Sequence, residues 1–236
     1  MATTLFQCYI INVRNISPTV FELLFQPDKP IPFRAGQYLS VIVPARPPST
    51  KDLRRAYSIA SSPEEPMGRL CIKWVEEGPG SNYLCTLKRG QYFRAYAPYG
   101  QMIYRTAPQR RCCFVATGTG ISPFLSMVGS REYMENRPLQ TRILMGVRNH
   151  RELLYEDLVS TVPGSLWTPC ITQPTANYHG FIGRVTDWLS SQGSEFPWSE
   201  TDFYICGGST MIDETKQILL QRGVSREAIF QEIYYQ

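Results

Sequence analysis

Two folded units of different architecture are expected from this chain: an antiparallel β-barrel or sandwich first, then a parallel sheet flanked by helices. From Phe6 to about Met102, short runs with alternating apolar residues recur between turns rich in Pro and Gly, the rhythm of a small all-β unit. From Arg111 the rhythm changes to continuous apolar runs alternating with helical patterns, which predicts βαβ units. Between them "QMIYRTAPQRR" has neither period. The boundary is placed there, giving units of 1–107 and 108–236.

In the first unit, six segments read as strands: "FQCYIINVRNI", "VFELLFQP", "QYLSVIVP", "RAYSIASS", "RLCIKWVE" and "QYFRAYAP". Their turns fall at "PDKP", "PARPPSTKD", "SPEEPMG" and "KRG". One helical turn is expected in "SNYLCTL". In the second unit, five strands are expected at "RCCFVATG", "RILMGV", "WTPCITQ", "DFYICGG" and "AIFQEIYY". Four helices separate them, at "SPFLSMVGSREYM", "ELLYEDLVSTV", "RVTDWLSSQ" and "MIDETKQILLQRG". Ser122 is read as the N-cap of the first of these helices and Pro123 as its first residue.

The chain has 236 residues, 43% apolar and 19% charged, enough to bury two cores without staples. A net charge of +4 with scattered Lys and Arg lacks the basic runs that mark nucleic-acid binding and fits a local anionic ligand better. Seven Cys include no C-x-x-C pair and no spacing suited to zinc or an iron–sulfur cluster, so no metal site is expected. Free thiols in odd number suggest a reducing compartment. The N-terminus lacks the pattern of a signal peptide, and no apolar run approaches the length of a membrane span. A cytoplasmic protein is expected.

Three motifs bear chemistry. In "LRRAYSIASSP" the period of a strand puts Arg55 and Tyr57 on one face and Ser58 on the other, so a cation stands beside an aromatic ring. The competing reading is an exposed strand with one snorkelling Arg. In "ATGTGISP" Gly118 and Gly120 follow a parallel strand and open a helix, where backbone N–H groups receive phosphate; a tight turn needing positive φ explains the same glycines. Pro123 stands where G-x-G-x-x-G has its third Gly. In "YICGGSTM" Cys206 precedes Gly207 and Gly208 at another strand end, and a small buried Cys is the alternative there. Both glycine turns lie at carboxyl ends of strands in one sheet, so both face one crevice.

The order "RAYS", "GPGSNYL", "GTGISP", "CGG" and a terminal "EIYY" resembles the ferredoxin:NADP reductase superfamily across nearly the whole chain. The resemblance implies a six-stranded antiparallel Greek-key barrel binding FAD and a five-stranded parallel, Rossmann-like domain binding NAD(P). In such a protein the R-A-Y-S edge, Arg55, Ala56, Tyr57 and Ser58, holds the flavin. Arg55 pairs with the pyrophosphate, Tyr57 stacks on the isoalloxazine and Ser58 offers its hydroxyl to flavin N5. Gly80, Ser81 and Asn82 open a helical turn against the pyrophosphate. Thr117 and the Gly118–Thr119–Gly120 loop hold the NAD(P) pyrophosphate and ribose, while Cys206 and Gly207 lie at the nicotinamide. Glu232 is the implied proton or charge partner. Tyr234 or Tyr235 covers the flavin face, with register favouring Tyr234. "CGG" departs from the more usual Cys-Gly-Pro or Cys-Gly-Asn.

NADP(H) is expected over NAD(H). Thr172 lies at the end of the third strand, and by the resemblance Arg148 and Arg184 match two basic positions that bacterial relatives use. Gln173, standing where NADP-using relatives commonly carry Arg, argues the other way. No Asp or Glu lies between Thr172 and Arg184 to repel a 2′-phosphate. With no cluster of its own, the chain is expected to pass electrons to a separate one-electron carrier, ferredoxin or flavodoxin, as a monomer. Two alternatives stand beside this reading. One is an NAD(P)H-dependent reductase of free flavin or of an oxygenase component. The other is a non-catalytic nucleotide-binding or assembly subunit, which stays colourless when FAD is added.

Overall fold

The computed structural model describes residues 3–45, 47 and 50–234. Alternation builds the first strand: Phe6, Cys8 and Ile10 of β1 (Thr4–Ser17) point inward and are buried. A register shift after Ile10 then passes β1 from one partner geometry to the next. It pairs with both β2 (Val20–Pro27) and β6 (Tyr92–Tyr99). With β3 (Tyr38–Val43), β4 (Leu53–Ser58) and β5 (Gly68–Lys73) the antiparallel order is β4-β3-β6-β1-β2-β5. The sheet closes on itself just past β4, where Ile59 bridges Leu70 and the Ala60 N–H donates to the Arg69 carbonyl at 2.8 Å. The expected barrel is therefore present. Its core includes Leu23, Phe25, Leu39, Val41, Ile72 and Phe93, and helix α1 (Pro79–Cys85) plugs into it through Leu84.

The second sheet is parallel throughout, in the order β10-β9-β8-β7-β11-β12. Its strands are β7 (Arg111–Thr117), β8 (Gln140–Val147), β9 (Ser165–Ile171), β10 (Phe181–Ile182), β11 (Thr201–Gly208) and β12 (Ile229–Tyr234). The sheet has six strands rather than five. The extra one, β10, is two residues long, too short for any period to show in the sequence. Among the described residues five helices follow α1: α2 (Ser122–Val128), α3 (Arg131–Glu135), α4 (Glu156–Val159), α5 (Val185–Ser191) and α6 (Ser209–Gln221). Trp188 and Leu189 of α5, with Ile212 and Leu219 of α6, pack on Cys113, Val115, Phe203 and Ile205.

Three helix expectations are corrected. The run expected as one helix from Ser122 splits into α2 and α3 at Gly129–Ser130, where the Ser130 hydroxyl donates to the Met127 carbonyl at 2.7 Å. Ser122 is not an N-cap, because a 3-10 turn over Gly118–Ile121 leads directly into α2. The helix expected over "ELLYEDLVSTV" shrinks to α4: Tyr155 adopts φ 55° just before it, and a separate turn at His150–Glu152 is capped by Asn149 accepting the Arg151 N–H at 3.1 Å.

By contact density the residues up to Tyr104, with Ser122–Arg131, form one unit; Arg105–Ile121 and the residues from Glu132 onward form the other. This differs from a single cut after residue 107. Arg105 and Thr106 belong with the parallel sheet because the backbone N–H of one and the hydroxyl of the other meet the Tyr204 hydroxyl, each at 3.0 Å.

Candidate active site

Cross-strand pairing fixes which way the R-A-Y-S residues face. Arg55 sits opposite Val41 and Tyr57 opposite Leu39, whereas Ser58 sits opposite Tyr38 on the other side. Arg55 and Tyr57 then converge over Gly80: a Cβ at that glycine would stand 2.5 Å from the Tyr57 hydroxyl and 3.0 Å from Arg55 Cγ. Burial, the larger effect, raises the Tyr57 pKa, and the Arg55 guanidinium pulls against it. The phenol is therefore neutral at physiological pH. Ser58 is buried, and Ala56 between them is exposed.

The segment before α1 is tied down by the side chains of Ser81 and Asn82, two residues of the turn whose N–H groups are expected to meet phosphate. Asn82 Nδ2 donates to the carbonyls of Val75, Glu76 and Gly78 at 3.1, 2.8 and 3.0 Å, and its Oδ1 accepts from the Trp74 indole at 2.9 Å. Ser81 Oγ accepts the Val75 N–H at 3.1 Å. Both side chains hold the loop in shape. What α1 offers an anion is backbone N–H at Gly80 and Ser81, beside the Arg55 cation, and this cradle of glycine, cation and flat ring suits a flavin pyrophosphate and its ring.

In the parallel sheet, β8 extends the order on one side of β7 and β11 on the other, so the reversal of strand order falls between β7 and β11. Ligands of open α/β sheets bind at that point, outside the carboxyl ends. Thr117 ends β7, and Ala116 lies opposite Cys206. Gly118 takes φ 52° with open space around it, and a Cβ on Gly120 would overlap the Cys206 carbonyl. Gly207 lies against Thr117 Oγ1 and Met211 in the same manner. Gly120 and Gly207 are glycine because the ends of β7 and β11 touch there, and Gly118 because of its positive φ.

Cys206 is fully buried and faces Glu232 across the β11–β12 ladder. Its thiol is hydrogen-bonded to the Tyr234 hydroxyl; burial raises its pKa most, and Glu232 adds to that. It stays a neutral thiol, a shape and weak-dipole element rather than a nucleophile. Desolvation also lifts the Glu232 carboxyl to about 7. The Tyr234 hydroxyl reaches the Thr119 carbonyl at 3.4 Å. Cys206, Glu232, Tyr234 and Thr119 thus form one cluster. Tyr235 lies outside the described residues.

Among the residues expected to meet the adenosine, the Thr172 N–H donates to the Val147 carbonyl at 3.2 Å and the Gln173 N–H to the Arg148 carbonyl at 2.6 Å, which seats Arg148 beside both. Arg184 is placed differently. It precedes α5, its N–H donates to Asp187 at 2.7 Å, and its guanidinium lies 4.0 Å from Glu214 of α6. The sequence window between Thr172 and Arg184 has no acid, yet the fold supplies two beside Arg184. Glu214 had no local signal; only the packing of α6 against α5 reveals it.

This arrangement defines a class: a flavin-binding barrel joined to a pyridine-nucleotide sheet. Residues 7–104 match the model of an oxidoreductase FAD-binding domain and residues 114–217 that of an oxidoreductase NAD-binding domain. Ferredoxin–NADP reductase B of Sorangium cellulosum is 30% identical over 97% of this chain and 97% of its own length. The chain belongs to the ferredoxin:NADP reductase superfamily. Phenol hydroxylase P5 protein of Acinetobacter pittii is 32% identical over 92% of this chain, which spans only 62% of that relative. A ferredoxin NADP+ reductase from Neisseria gonorrhoeae, solved with FAD and NADP, has the same fold, with a TM-score of 0.84, 22% identity and full coverage of both chains. Among the described residues no helix is long and apolar enough to cross a membrane.

Proposed function

We propose that the protein is an FAD-dependent oxidoreductase that transfers hydride between NAD(P)H and flavin and exchanges single electrons with a separate carrier such as ferredoxin or flavodoxin. The observation that carries this reading is the pairing, in one chain, of Arg55 and Tyr57 over Gly80 with the Cys206–Glu232–Tyr234 cluster. FAD, when bound, supplies the conversion of a two-electron donor into one-electron output. Arg55 neutralises the flavin pyrophosphate, Tyr57 covers the ring and Ser58 presents its hydroxyl to N5. Thr117 and the Gly118–Gly120 turn seat the nucleotide. Cys206 shapes the nicotinamide pocket, and Glu232 holds or releases a proton near neutrality. Tyr234 fills that pocket until nicotinamide enters.

We assign the 2′-phosphate of NADPH to Arg148 and place the preference for NADPH there, since the Arg184 guanidinium already has the Glu214 carboxylate 4.0 Å away. The similarity to phenol hydroxylase P5 favours a second reading, the reductase of an oxygenase component. Among the described residues no cysteine forms a disulfide, which fits a cytoplasmic setting. An absorbance spectrum of the purified protein, followed by anaerobic titration with NADPH and NADH, tests the main proposal. A flavin spectrum bleached by either nucleotide supports it. A protein that stays colourless after FAD is added overturns it.

A further inference from the structure

The first turn of α6 carries a side chain with no part yet in the site. Met211 reaches back to the glycine turn at the end of β11: a Cβ on Gly207 would overlap the Thr117 hydroxyl and stand 2.6 Å from the Met211 methyl carbon. Both side chains close on Gly207 from the side where a Cβ would stand, one from the end of β7 and one from α6. The Thr117 methyl faces elsewhere, since a Cβ on Gly146 would stand 3.1 Å from it and from Val185 Cγ1. Thr117 is stiff at χ1, so this packing directs its hydroxyl at Gly207. Glycine has no side chain to restrain its own backbone, and its neighbours set its position.

Methionine makes a poor fixed wall, because three rotatable bonds leave its methyl free to wander. Here the sulfur is anchored. The Thr215 hydroxyl, one helical turn further on, donates to Met211 Sδ at 3.5 Å. Thr215 is fully buried, as are Ile212 and Leu219 of the same helix, so the donor itself is fixed. A buried helical Thr commonly returns its hydroxyl to the carbonyl four residues back; this one is directed at a thioether, a weak acceptor. Valine would fill the same volume, so filling space explains neither the hydroxyl nor its direction.

We propose that Met211 is a positioning residue of the nucleotide site: with its sulfur fixed by Thr215, its methyl holds the Gly207 turn in the shape that presents Cys206 and Gly207 to nicotinamide. This deepens the proposed function and rests on its assignment of those two residues. A thioether released from Thr215 would let the turn relax, and small misplacement at the reacting end is costly in rate. The anchor acts on geometry at the nicotinamide end, so flavin binding in the barrel does not depend on it.

In the FAD-loaded protein, Thr215→Val removes the donor, Met211→Leu removes the sulfur and Thr215→Ser keeps the hydroxyl. Carbon-13 at the methionine methyls reports the anchor without catalysis, and the Met211 line is the one missing from Met211→Leu. We expect NADP+ or NAD+ to shift that line in the parent, Thr215→Val to move it towards the value of a freely rotating methionine, and Thr215→Ser to return it. In anaerobic stopped flow at saturating NADPH or NADH, flavin reduction should slow roughly 2- to 10-fold in Thr215→Val and in Met211→Leu alike, the reach of one neutral hydrogen bond. The double variant should be no slower than either, because both changes cut one link. FAD retention should be unchanged, and Thr215→Ser should match the parent's rate. A methionine that only fills space would move the melting temperature and leave the saturated rate alone. Unchanged rates in either single variant, losses that add in the double, or a Ser variant as slow as the Val variant overturn the proposal. So does a Met211 line that nucleotide or Thr215→Val leaves in place. If Thr215→Val does not fold, Met211→Leu decides: a slowed rate with FAD retained supports the proposal and an unchanged rate overturns it. Should neither nucleotide reduce the parent's flavin, the functional reading fails separately. The methyl line then decides alone: shifted by nucleotide and moved by Thr215→Val, it supports the anchor, and any other result overturns it.

Discussion

The Tyr234 hydroxyl lies 3.4 Å from the Thr119 carbonyl, which ties the end of β12 to the glycine turn after β7. On the proposed function, a nicotinamide entering beside Cys206 would break that contact and the one between Tyr234 and the Cys206 thiol. Tyr234→Phe removes both hydrogen bonds and keeps the ring. Since each net bond is worth about 0.5–1.5 kcal/mol, losing both should raise nicotinamide affinity roughly 5- to 150-fold. Equal dissociation constants for parent and variant in a charge-transfer titration would mean that the phenol does not compete.

Arg55→Ala should weaken FAD binding roughly 10- to 150-fold, the range of a charge-assisted contact of about 1.5–3 kcal/mol. Gly80→Ala tests the same cradle sterically. Its methyl forces the Tyr57 phenol or the Arg55 stem off its rotamer at about 0.5–1.5 kcal/mol, so FAD affinity should fall roughly 2- to 10-fold. Flavin retained by both variants through dialysis, as in the parent, would separate these residues from the cofactor.

Glu232 predicts a pH dependence of defined sign. Its folded-state pKa of about 7 exceeds the ordinary carboxylate value of 4.5, so between those pH values the unfolded chain loses its proton first. Stability therefore falls as pH rises through that window and levels off above it. Glu232→Gln should be the more stable protein above pH 7, and the difference should vanish near pH 4. Thermal melts across that range check it. A constant difference would show that the carboxyl titrates normally.

Nucleotide preference divides the two arginines. Arg148→Ala should lower kcat/KM for NADPH about 10-fold or more and leave NADH nearly unchanged, because only NADPH has the extra phosphate. Arg184→Ala should cost NADPH less. Glu214→Gln, which releases the Arg184 guanidinium, should improve NADPH use. A parent that already prefers NADH would remove the assignment.

How far the sequence could be read depended on how local each feature is. The common face of Arg55 and Tyr57 follows from the two-residue period of a strand, and the buried run of β7 from composition alone. The convergence on Gly80 could not be read, since it depends on where α1 lands in the barrel. Nor could the staple role of Asn82, whose four partners lie up to eight residues back in an irregular loop. Two-residue β10 has no pattern to detect. Tyr155 breaks a good helical period by taking a left-handed conformation that tyrosine rarely adopts. The acids around Arg184 arrive partly from another helix, beyond any window of neighbouring residues.

The bridge between Ile59 and Leu70 makes the barrel a ribbon fastened by a clasp, for the seam is one bridged residue pair wide where the other neighbouring strands of the barrel share four to eight. The strand with R-A-Y-S ends at this clasp. Unfastening it would free the end of β4 while the longer β3–β4 ladder stays zipped. A bulky dinucleotide could thus be admitted to a folded barrel through local opening, without the chain coming apart.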